Sequence, residues 1–443
     1  MSAADPTFED AVATWARIGV TSFGGPAGQI AMMHRILVDE KRWLDERTYL
    51  TALSFCTLLP GPEAMQLATY AGWRLHGLKG GLAAGLLFVL PGATVILALS
   101  SLYVLYGSLP LVAALFTGVK AAVLAIVLEA LLRISRRSLK DTAEWLIAGS
   151  AFFALFFFHV PFPVIIFAAG LIGYLRSRNS VPATAAPAAA SRAPVALADT
   201  AATIAIWTAI WIAPLALVAI AYGPDHVLTK LSWFYAKLAV VTFGGAYAVL
   251  AYMAQDVVQH YGWLSAGEML DGLGLAETTP GPLILVTEFV GFVAAYRTAE
   301  GGSWSMGLLG ALVTLWATFA PCFLWIFAGA PYIERIASMP RLKSALSAIT
   351  AAVVGVIFNL TVWFALHVVF SVVQEARFGP LYITSPNLHS VNWTAAGLAV
   401  LAGVLLLGTH RGVITTLGVC GVLSWLASRL LYARFYSQPR RRK

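Results

Sequence analysis

Charged residues are scarce in this sequence, and their scarcity excludes a soluble globular protein. Asp, Glu, Lys and Arg make up 11% of the 443 residues, and 59% are hydrophobic, whereas soluble domains carry about 25% charged residues. The mean hydropathy is +0.78. The apolar stretches are continuous and do not alternate with polar residues, so we expect membrane-spanning helices rather than barrel strands. The main apolar stretches are Gly81–Tyr106, Leu111–Leu132, Thr200–Tyr222, Met306–Ala330 and Trp393–Leu407.

The residues that build metal centres and enzyme active sites are also few and scattered. Cys56, Cys322 and Cys420 are isolated, and neither H-E-x-x-H nor G-x-S-x-G occurs. We therefore expect no cofactor, no metal and no enzyme activity. The net charge of +8 lies largely in short loops such as Arg133–Lys140 and Arg176–Arg178, which is typical of topology determinants, and it predicts no nucleic-acid partner.

The first ten residues, Met1–Asp10, are acidic and lack the basic segment that opens a secretory signal peptide. We expect no cleaved signal. The sequence therefore predicts a multi-pass protein of the bacterial inner (plasma) membrane, with the lipid bilayer as its surroundings.

The second half of the chain repeats the first. Trp, Pro and Gly rarely align by chance, yet they align here over long stretches without a gap. At a constant offset of 220, Phe23-Gly24-Gly25 matches Phe243-Gly244-Gly245, Trp43-Leu44 matches Trp263-Leu264, and Pro60-Gly61-Pro62 matches Pro280-Gly281-Pro282. Beyond these motifs the offset is 230, so that Pro91 matches Pro321 and Ala121-Ala122-Val123 matches Ala351-Ala352-Val353. The ten extra residues fit around the polar loop Arg297–Ser303.

The repeat defines the predicted domain organisation. A stretch rich in Ala, Pro and Ser separates the halves and is typical of a flexible linker. One apolar span after it has no counterpart in the first half. The predicted units are a first repeat at 1–176, a linker at 177–199, an extra transmembrane helix at 200–222, a second repeat at 223–432 and a basic tail at 433–443.

Six spans per half and one extra span give about 13 transmembrane helices in an all-α polytopic protein. An odd extra crossing would invert the second half relative to the first. The basic loop Arg133–Lys140 has a nearly uncharged counterpart, and the uncharged loop Tyr103–Val112 has the basic counterpart Glu334–Lys343. This exchange favours inverted halves. The basic tail Arg440–Lys443 disagrees, because an odd total would place it in the periplasm.

The F-G-G and P-G-P motifs are predicted to break helices inside the membrane. Proline removes a backbone donor and glycine weakens a helix, yet P-G-P lies within the apolar stretches Tyr49–Trp73 and Met269–Tyr296. A new helix that begins after such a break presents unpaired amides and a positive dipole end, which suits a tetrahedral oxyanion. Paired broken helices are typical of transporter sites. Two inverted halves would aim four such ends at one site.

Two cations and several polar side chains accompany the breaks. Arg17 and Lys237 each lie six residues before an F-G-G inside an apolar span, where charges are costly and usually functional. Arg17 could instead reach the membrane surface from its helix. The predicted substrate-binding residues are Arg17, Ser22, Gly24, Gly25, Pro60, Gly61, Pro62, Glu63, Gln66, Lys237, Thr242, Gly244, Gly245, Thr279, Pro280, Gly281 and Pro282.

Three carboxyl groups are candidates for proton coupling: Glu63, Glu277 and Glu288. Glu63 and Glu277 could equally act as caps of the half-helices. Glu129 is instead expected to pair with Arg133, four residues further along the same helix.

These motifs together resemble the chromate ion transporter (CHR) family in its long, two-domain form. The resemblance rests on Phe23-Gly24-Gly25-Pro26, Leu59-Pro60-Gly61-Pro62-Glu63, Gln66-Leu67-Ala68-Thr69-Tyr70 and Gly72-Trp73, with weaker copies in the second half. It implies chromate export across the inner membrane and chromate resistance, with sulfate as a related ligand.

The second half departs from this pattern, since Glu63 and Gln66 are replaced by Leu283 and Val286. The two halves are therefore expected to contact a ligand unequally. Chromate and sulfate share shape and charge, so the residues alone leave a sulfate or other oxyanion permease open as an alternative.

Overall fold

The computed structural model shows a bundle of helices with one small β-hairpin. The structure describes residues 6–177, 197–241, 243, 246–298, 301–333, 336 and 339–436. The helices before the predicted linker are α1 Phe8–Thr21, α2 Gly25–His34, α3 Glu46–Cys56, α4 Glu63–Tyr106, α5 Pro110–Ser138, α6 Thr142–Phe158 and α7 Phe162–Arg176. Those after it are α8 Leu197–Tyr222, α9 Val227–Val241, α10 Ala246–Gln255, α11 Ala266–Thr278, α12 Val286–Tyr296, α13 Trp304–Gly329, α14 Pro340–Val369, α15 Trp393–Gly403 and α16 Val413–Tyr436.

This architecture confirms the all-α polytopic class. Six helices in the described part of the chain are long and apolar enough to cross a membrane, and four shorter helices are apolar as well. Their outward faces carry large hydrophobic side chains, such as Phe167, which is 75% exposed, and Ile220, which is 80% exposed. In α8 only Trp211 and Leu215 are buried. Such surfaces fit lipid rather than water. The predicted total of about 13 crossings stays a prediction.

One element departs from the all-helical expectation. Strands β1 (Val373–Phe378) and β2 (Leu381–Pro386) form an antiparallel hairpin between α14 and α15. The two-residue turn begins with Gly379 at φ 62°, the conformation that glycine adopts at the first position of a tight hairpin turn. The hairpin rests on the end of α6, where His159 stacks on Tyr382 and binds Glu375.

The duplication is visible in the local structure. Asp45 caps α3 and Ser265, at the matching position, caps α11. The π-helix Arg35–Glu40 follows α2, and the π-helix Asp256–His260 follows α10. In the first half α4 reverses direction at His76 and Gly77. In the second half α12 and α13 form the same helical hairpin around the longer connection 297–303, where the extra residues were expected.

The counterpart helices α5 and α14 run in opposite directions, which supports inverted halves. Arg341, at the start of α14, lies over the ring of Tyr174 near the end of α7. Arg176 also binds Asp141, which follows the end of α5. The end of α5 and the beginning of α14 therefore lie at one end of the bundle. We call it the basic end, because the basic residues of Arg133–Lys140 and the described cations Arg341 and Lys343 gather there.

The halves are also interleaved. Helix α14 packs on α6 and α7 of the first half, while α5 packs on α15 and α16 of the second. Close approach depends on small residues: Ser344 donates a hydrogen bond of 2.7 Å from its Oγ to the Gly173 carbonyl, and Gly118 packs directly on the Cys420 backbone. The repeated Ala-Ala-Val triplets of α5 and α14 are at most 1% exposed. The centre of the bundle is therefore built from equivalent residues of both halves.

A pair of glycine substitutions tests this packing. A Cβ at Gly355 of α14 would overlap the Ala148 carbonyl and lie 2.9 Å from the Phe152 nitrogen, whereas a Cβ at Gly149 of α6 would meet no described atom within 4 Å. Gly149→Ala should stabilise the protein by up to about 1 kcal/mol through helix propensity, and Gly355→Ala should lower the apparent Tm. Thermal unfolding of the detergent-solubilised protein measures both. Equal effects of the two variants would contradict the interleaved packing.

Candidate functional site

Both copies of the P-G-P motif interrupt helices, as predicted. Helix α3 ends at Cys56 and α4 begins at Glu63, directly after the first P-G-P. After the second P-G-P the turn Leu283–Leu285 opens the next helical segment. Gly61 has a φ of 115° and Gly281 a φ of 93°, in the left-handed region that side chains with a Cβ rarely adopt. Pro62 and Pro282 are the extended residues that precede the new helical turns.

The first F-G-G lies against the second P-G-P, across the boundary between the halves. The Gly281 amide donates a hydrogen bond of 2.9 Å to the Ser22 carbonyl. Gln29 Nε2 donates to the Gly281 carbonyl at 2.6 Å and to the Ser22 carbonyl at 3.2 Å. One buried side chain of the first half thus holds the broken backbone of both halves. Sequence reasoning missed Gln29, although a glutamine within Ala27–Met33 is an unusual polar residue in an apolar segment.

The first P-G-P is held differently. Gln66 Nε2 donates a hydrogen bond of 2.6 Å to the Pro60 carbonyl. A Cβ at Gly61 would lie 2.8 Å from Gln66 Nε2 and 3.1 Å from the Cys322 sulfur of α13. Gln66 was predicted to contact the ligand, but in this conformation its amide nitrogen binds the protein backbone.

The two P-G-P motifs nevertheless have equivalent environments. Cys322 matches Gly92 at the offset of 230. Gly92 packs so closely on Pro280 that a Cβ there would overlap the Pro280 carbonyl. Each P-G-P therefore packs on the other half. The first lies beside Cys322, which follows Pro321, and the second lies beside Gly92, which follows Pro91.

The hydroxyl groups beside the motifs are engaged within their own helices. Ser22 Oγ donates to the Ile18 carbonyl at 2.7 Å, and Thr279 Oγ1 donates to the Ala276 carbonyl at 3.0 Å. They were predicted as donors to a ligand. Helical serine and threonine commonly bond the carbonyl three or four residues earlier, and this local bond takes the hydrogen in this conformation.

Arg17 of α1 and Lys237 of α9 are both exposed. Gly24 precedes α2 and is also exposed. No described atom lies within 4 Å of a Cβ built at Gly24 or Gly25. The N-terminus of α2 is therefore open on the side of these glycines. Lys237 Nζ lies 5.5 Å from the centre of the Tyr252 ring. Thr242, Gly244 and Gly245 lie outside the described residues.

The three candidate carboxyl groups have different surroundings. Glu63 begins α4 and is partly exposed. Glu277 is buried and accepts a hydrogen bond of 3.0 Å from the Tyr247 hydroxyl. Glu288 is 1% exposed, and its Oε2 has no hydrogen-bond partner among the described residues. Glu129 binds Arg133, which confirms the predicted pair.

One ionic cluster was not found from the sequence. Lys120 of α5 binds Asp271 of α11, with 3.3 Å between Nζ and Oδ2, and the Tyr103 hydroxyl of α4 donates to the same oxygen at 2.9 Å. Asp271 is 4% exposed. A lysine inside the apolar stretch Leu111–Leu132 was the available signal. The repeat does not reveal this lysine, because the counterpart of Lys120 is Thr350.

The site thus consists of helix breaks that two inverted halves hold across their boundary. Backbone amides at such breaks can bind an oxyanion without any cofactor. In the part of the chain that the structure describes, no three His, Cys, Asp or Glu residues are grouped as a metal site.

Comparison with known proteins decides the family. The family model described as "Chromate transporter" matches residues 10–174 and 229–425. The chain belongs to the chromate transporter family. A chromate transport protein of Pseudomonas aeruginosa is 35% identical over 354 residues, which are 79% of each chain.

More distant members cover the same extent. A chromate transport protein of Cupriavidus metallidurans is 29% identical over 79% of this chain and 81% of its own. An uncharacterised transporter of Methanocaldococcus jannaschii is 27% identical over 80% of this chain and 84% of its own. No solved structure matches the chain.

The Gln29 bridge is the testable element of this site. Gln29→Leu removes the donor to two buried carbonyls, and an unsatisfied buried acceptor costs about 1–3 kcal/mol. We expect a lower apparent Tm and impaired transport. Gln259→Leu, at an exposed glutamine, should change stability by less than about 0.5 kcal/mol. Thermal unfolding and vesicle transport measure the two effects. Wild-type behaviour of Gln29→Leu would exclude a role for the bridge.

Proposed function

We propose that the protein exports chromate from the cytoplasm across the bacterial inner membrane and so confers chromate resistance. The observation that carries the proposal is the contact between the first F-G-G and the second P-G-P, made by Ser22, Gln29 and Gly281. It joins two helix breaks of opposite halves at buried positions, as an alternating-access site requires. Family membership and the relatives named as chromate transport proteins support the substrate.

We further propose that the basic end faces the cytoplasm, in keeping with the positive-inside rule. The domain division predicted from the repeat belongs to the same proposal. Its support is that the two matched segments, 10–174 and 229–425, lie on either side of an unmatched stretch that contains α8.

The proposed ligand site uses backbone more than side chains. The amides at the beginnings of α2, α4, α10 and the Leu283–Leu285 turn would bind the oxyanion, with positive charge from Arg17 and Lys237. Ser22, Thr242, Thr279, Glu63 and Gln66 would line the same path, and Glu63, Glu277 and Glu288 are the carboxyl groups first considered for proton coupling. Ser22 and Thr279 would have to exchange their helical hydrogen bonds for the ligand.

Export is the direction that the membrane potential favours. A dianion leaving an inside-negative cell gains roughly 4–5 kcal/mol per 100 mV. Import of the same ion would need at least two co-transported cations to become electroneutral. Membrane potential or proton exchange can therefore drive the proposed cycle without ATP.

Transport in everted vesicles tests the function. We expect ATP-independent accumulation of chromate that follows an imposed membrane potential or pH gradient. Vesicles without the protein are the control. Accumulation of sulfate with no movement of chromate would contradict chromate export and would establish the oxyanion permease, because the same backbone amides suit any tetrahedral dianion.

Substitution of the two cations tests the proposed path. Arg17→Gln together with Lys237→Gln removes two positive charges, and we expect chromate transport to fall by at least about tenfold, since one lost charge-assisted contact is worth about 1.5–3 kcal/mol. Arg47→Gln, an exposed arginine of α3, should leave transport unchanged. Wild-type chromate tolerance in cells that carry the double variant would remove both cations from the pathway.

A further inference from the structure

The Lys120, Asp271 and Tyr103 cluster has properties that the other buried carboxyl groups lack. Asp271 is the buried carboxylate that pairs with a lysine of the opposite half. Glu277 is bonded to Tyr247 of its own half, and one oxygen of Glu288 lacks a described partner altogether. A change of charge at Asp271 therefore alters a bond between the halves, which is what coupling to alternating access requires.

The position of Asp271 links it to the motif site. Helix α11 carries Asp271 and ends at Thr278, directly before the second P-G-P. Lys120 and Tyr103 belong to helices α5 and α4 of the first half. The ion pair thus fixes α11, which leads into the second P-G-P, against the first half. The same half contacts that P-G-P through Ser22 and Gln29.

The cluster lies towards the end of the bundle opposite the basic end. Tyr103 is three residues before the end of α4, and α5 runs from Pro110 to the basic end. Lys120 lies about 15 Å along α5 from its beginning, at 1.5 Å per residue. If the basic end is cytoplasmic, the cluster lies in the extracytoplasmic half of the membrane.

A charged pair lies between the cluster and a cleft of the protein. A cleft of about 710 Å³ is lined by Asp225, His226, Lys230 and Arg297, among others. Arg297 binds Glu268, which lies one turn before Asp271 on α11. The side chain of Lys120 is 28% exposed. Protons can therefore reach the cluster from the cleft or along Lys120.

Several charged and titratable groups face Asp271. They are Lys120 from α5, Tyr103 from α4 and Glu268 from its own helix, with Arg297 beyond α12 paired to Glu268. The Oδ1 of Asp271 is buried without a hydrogen-bond partner among the described residues, and so has lone pairs free to take a proton.

The cluster also breaks the symmetry of the duplication. The counterparts of Asp271, Lys120 and Tyr103 are Thr51, Thr350 and Ile333. None of these carries a charge, so inversion places no equivalent ion pair at the cytoplasmic end. The Lys120–Asp271 ion pair, present at one end of the bundle, can respond to the proton concentration on that side alone.

We propose that Asp271 is the coupling-proton site of the transporter. Proton uptake forms an O–H bond on the Asp271 carboxylate, no electron is transferred, and Lys120 remains an ammonium whose charge is no longer neutralised. The ion pair is then broken and the halves can separate on the extracytoplasmic side. Lys120 is the positioning residue that keeps Asp271 ionised until the proton arrives. This inference rests on the proposed chromate transport.

Reconstituted full-length protein in proteoliposomes tests the inference with two measurements. Chromate counterflow reports substrate movement without net proton flux, and chromate accumulation under a pH gradient at zero membrane potential reports coupling. Asp271→Asn should keep counterflow within about twofold of the wild type and reduce gradient-driven accumulation at least tenfold. Glu129→Gln, which breaks an ion pair within one helix, should retain both activities.

A second variant separates coupling from folding. Asp271→Asn leaves Lys120 as an unpaired buried charge, which can destabilise the fold. Lys120→Met combined with Asp271→Asn removes both charges and should fold, retain counterflow and still lack gradient-driven accumulation. Recovery of gradient-driven accumulation in the double variant would show that the pair is only structural and would overturn the proposal.

The remaining outcomes are also decisive. Gradient-driven accumulation that persists in Asp271→Asn, or that is lost instead in Glu277→Gln or Glu288→Gln, overturns the assignment of Asp271. Wild-type protein that moves chromate but ignores the pH gradient refutes proton coupling and leaves chromate transport standing. Wild-type protein that moves no chromate in either measurement refutes the proposed function, and this inference with it.

Discussion

Backbone polar groups cannot be left unpaired in lipid, and this constraint shapes the whole protein. Each P-G-P frees carbonyl and amide groups that a continuous helix would pair, and at membrane depth these groups must be buried in protein or face a wet cavity. The second break is closed by Ser22 and Gln29 of the first half. The first packs on Cys322 of the second half. The second break therefore depends on the first half for its hydrogen bonds, whereas the first break is bonded by Gln66 of its own half and is covered by the second half.

Interlocking in turn requires close approach of helices. The carbonyl of Gly173 accepts a hydrogen bond from Ser344, and Gly118 lies against the backbone at Cys420. Backbones that approach this closely exclude larger side chains, and membrane helices without a hydrophobic driving force depend on such contacts. Gly118 of α5 and Gly173 of α7 therefore serve the same purpose as the motif glycines: both allow the backbones of the two halves to come into contact.

The sequence was sufficient to predict the structural features that repeat in both halves. Matched motifs predicted the breaks, and the unequal loop charges predicted inversion, because Pro, Gly and charge clusters act through local backbone and topology. Gln29 and the Lys120–Asp271 pair could not be found in this way, since neither is repeated and their partners lie far away in the chain. The ligand roles of Ser22 and Gln66 depend on side-chain rotamers, which spacing does not determine, and in this conformation both side chains bind the protein itself.

The asymmetry of the buried polar groups bears on mechanism. Among the described residues, the two fully buried glutamines, Gln29 and Gln66, belong to the first half, whereas the buried carboxylates Asp271, Glu277 and Glu288 belong to the second. A side-chain amide can form hydrogen bonds with a charged or a neutral neighbour, because it both donates and accepts. A carboxylate repels an oxyanion and attracts a proton. A perfectly symmetric pair of inverted repeats would give its two states equal energies and no preferred side for the proton. In the proposed cycle, amide groups in one half and titratable groups in the other would separate the anion from the driving ion, and would make the outward and inward states unequal even before a substrate binds.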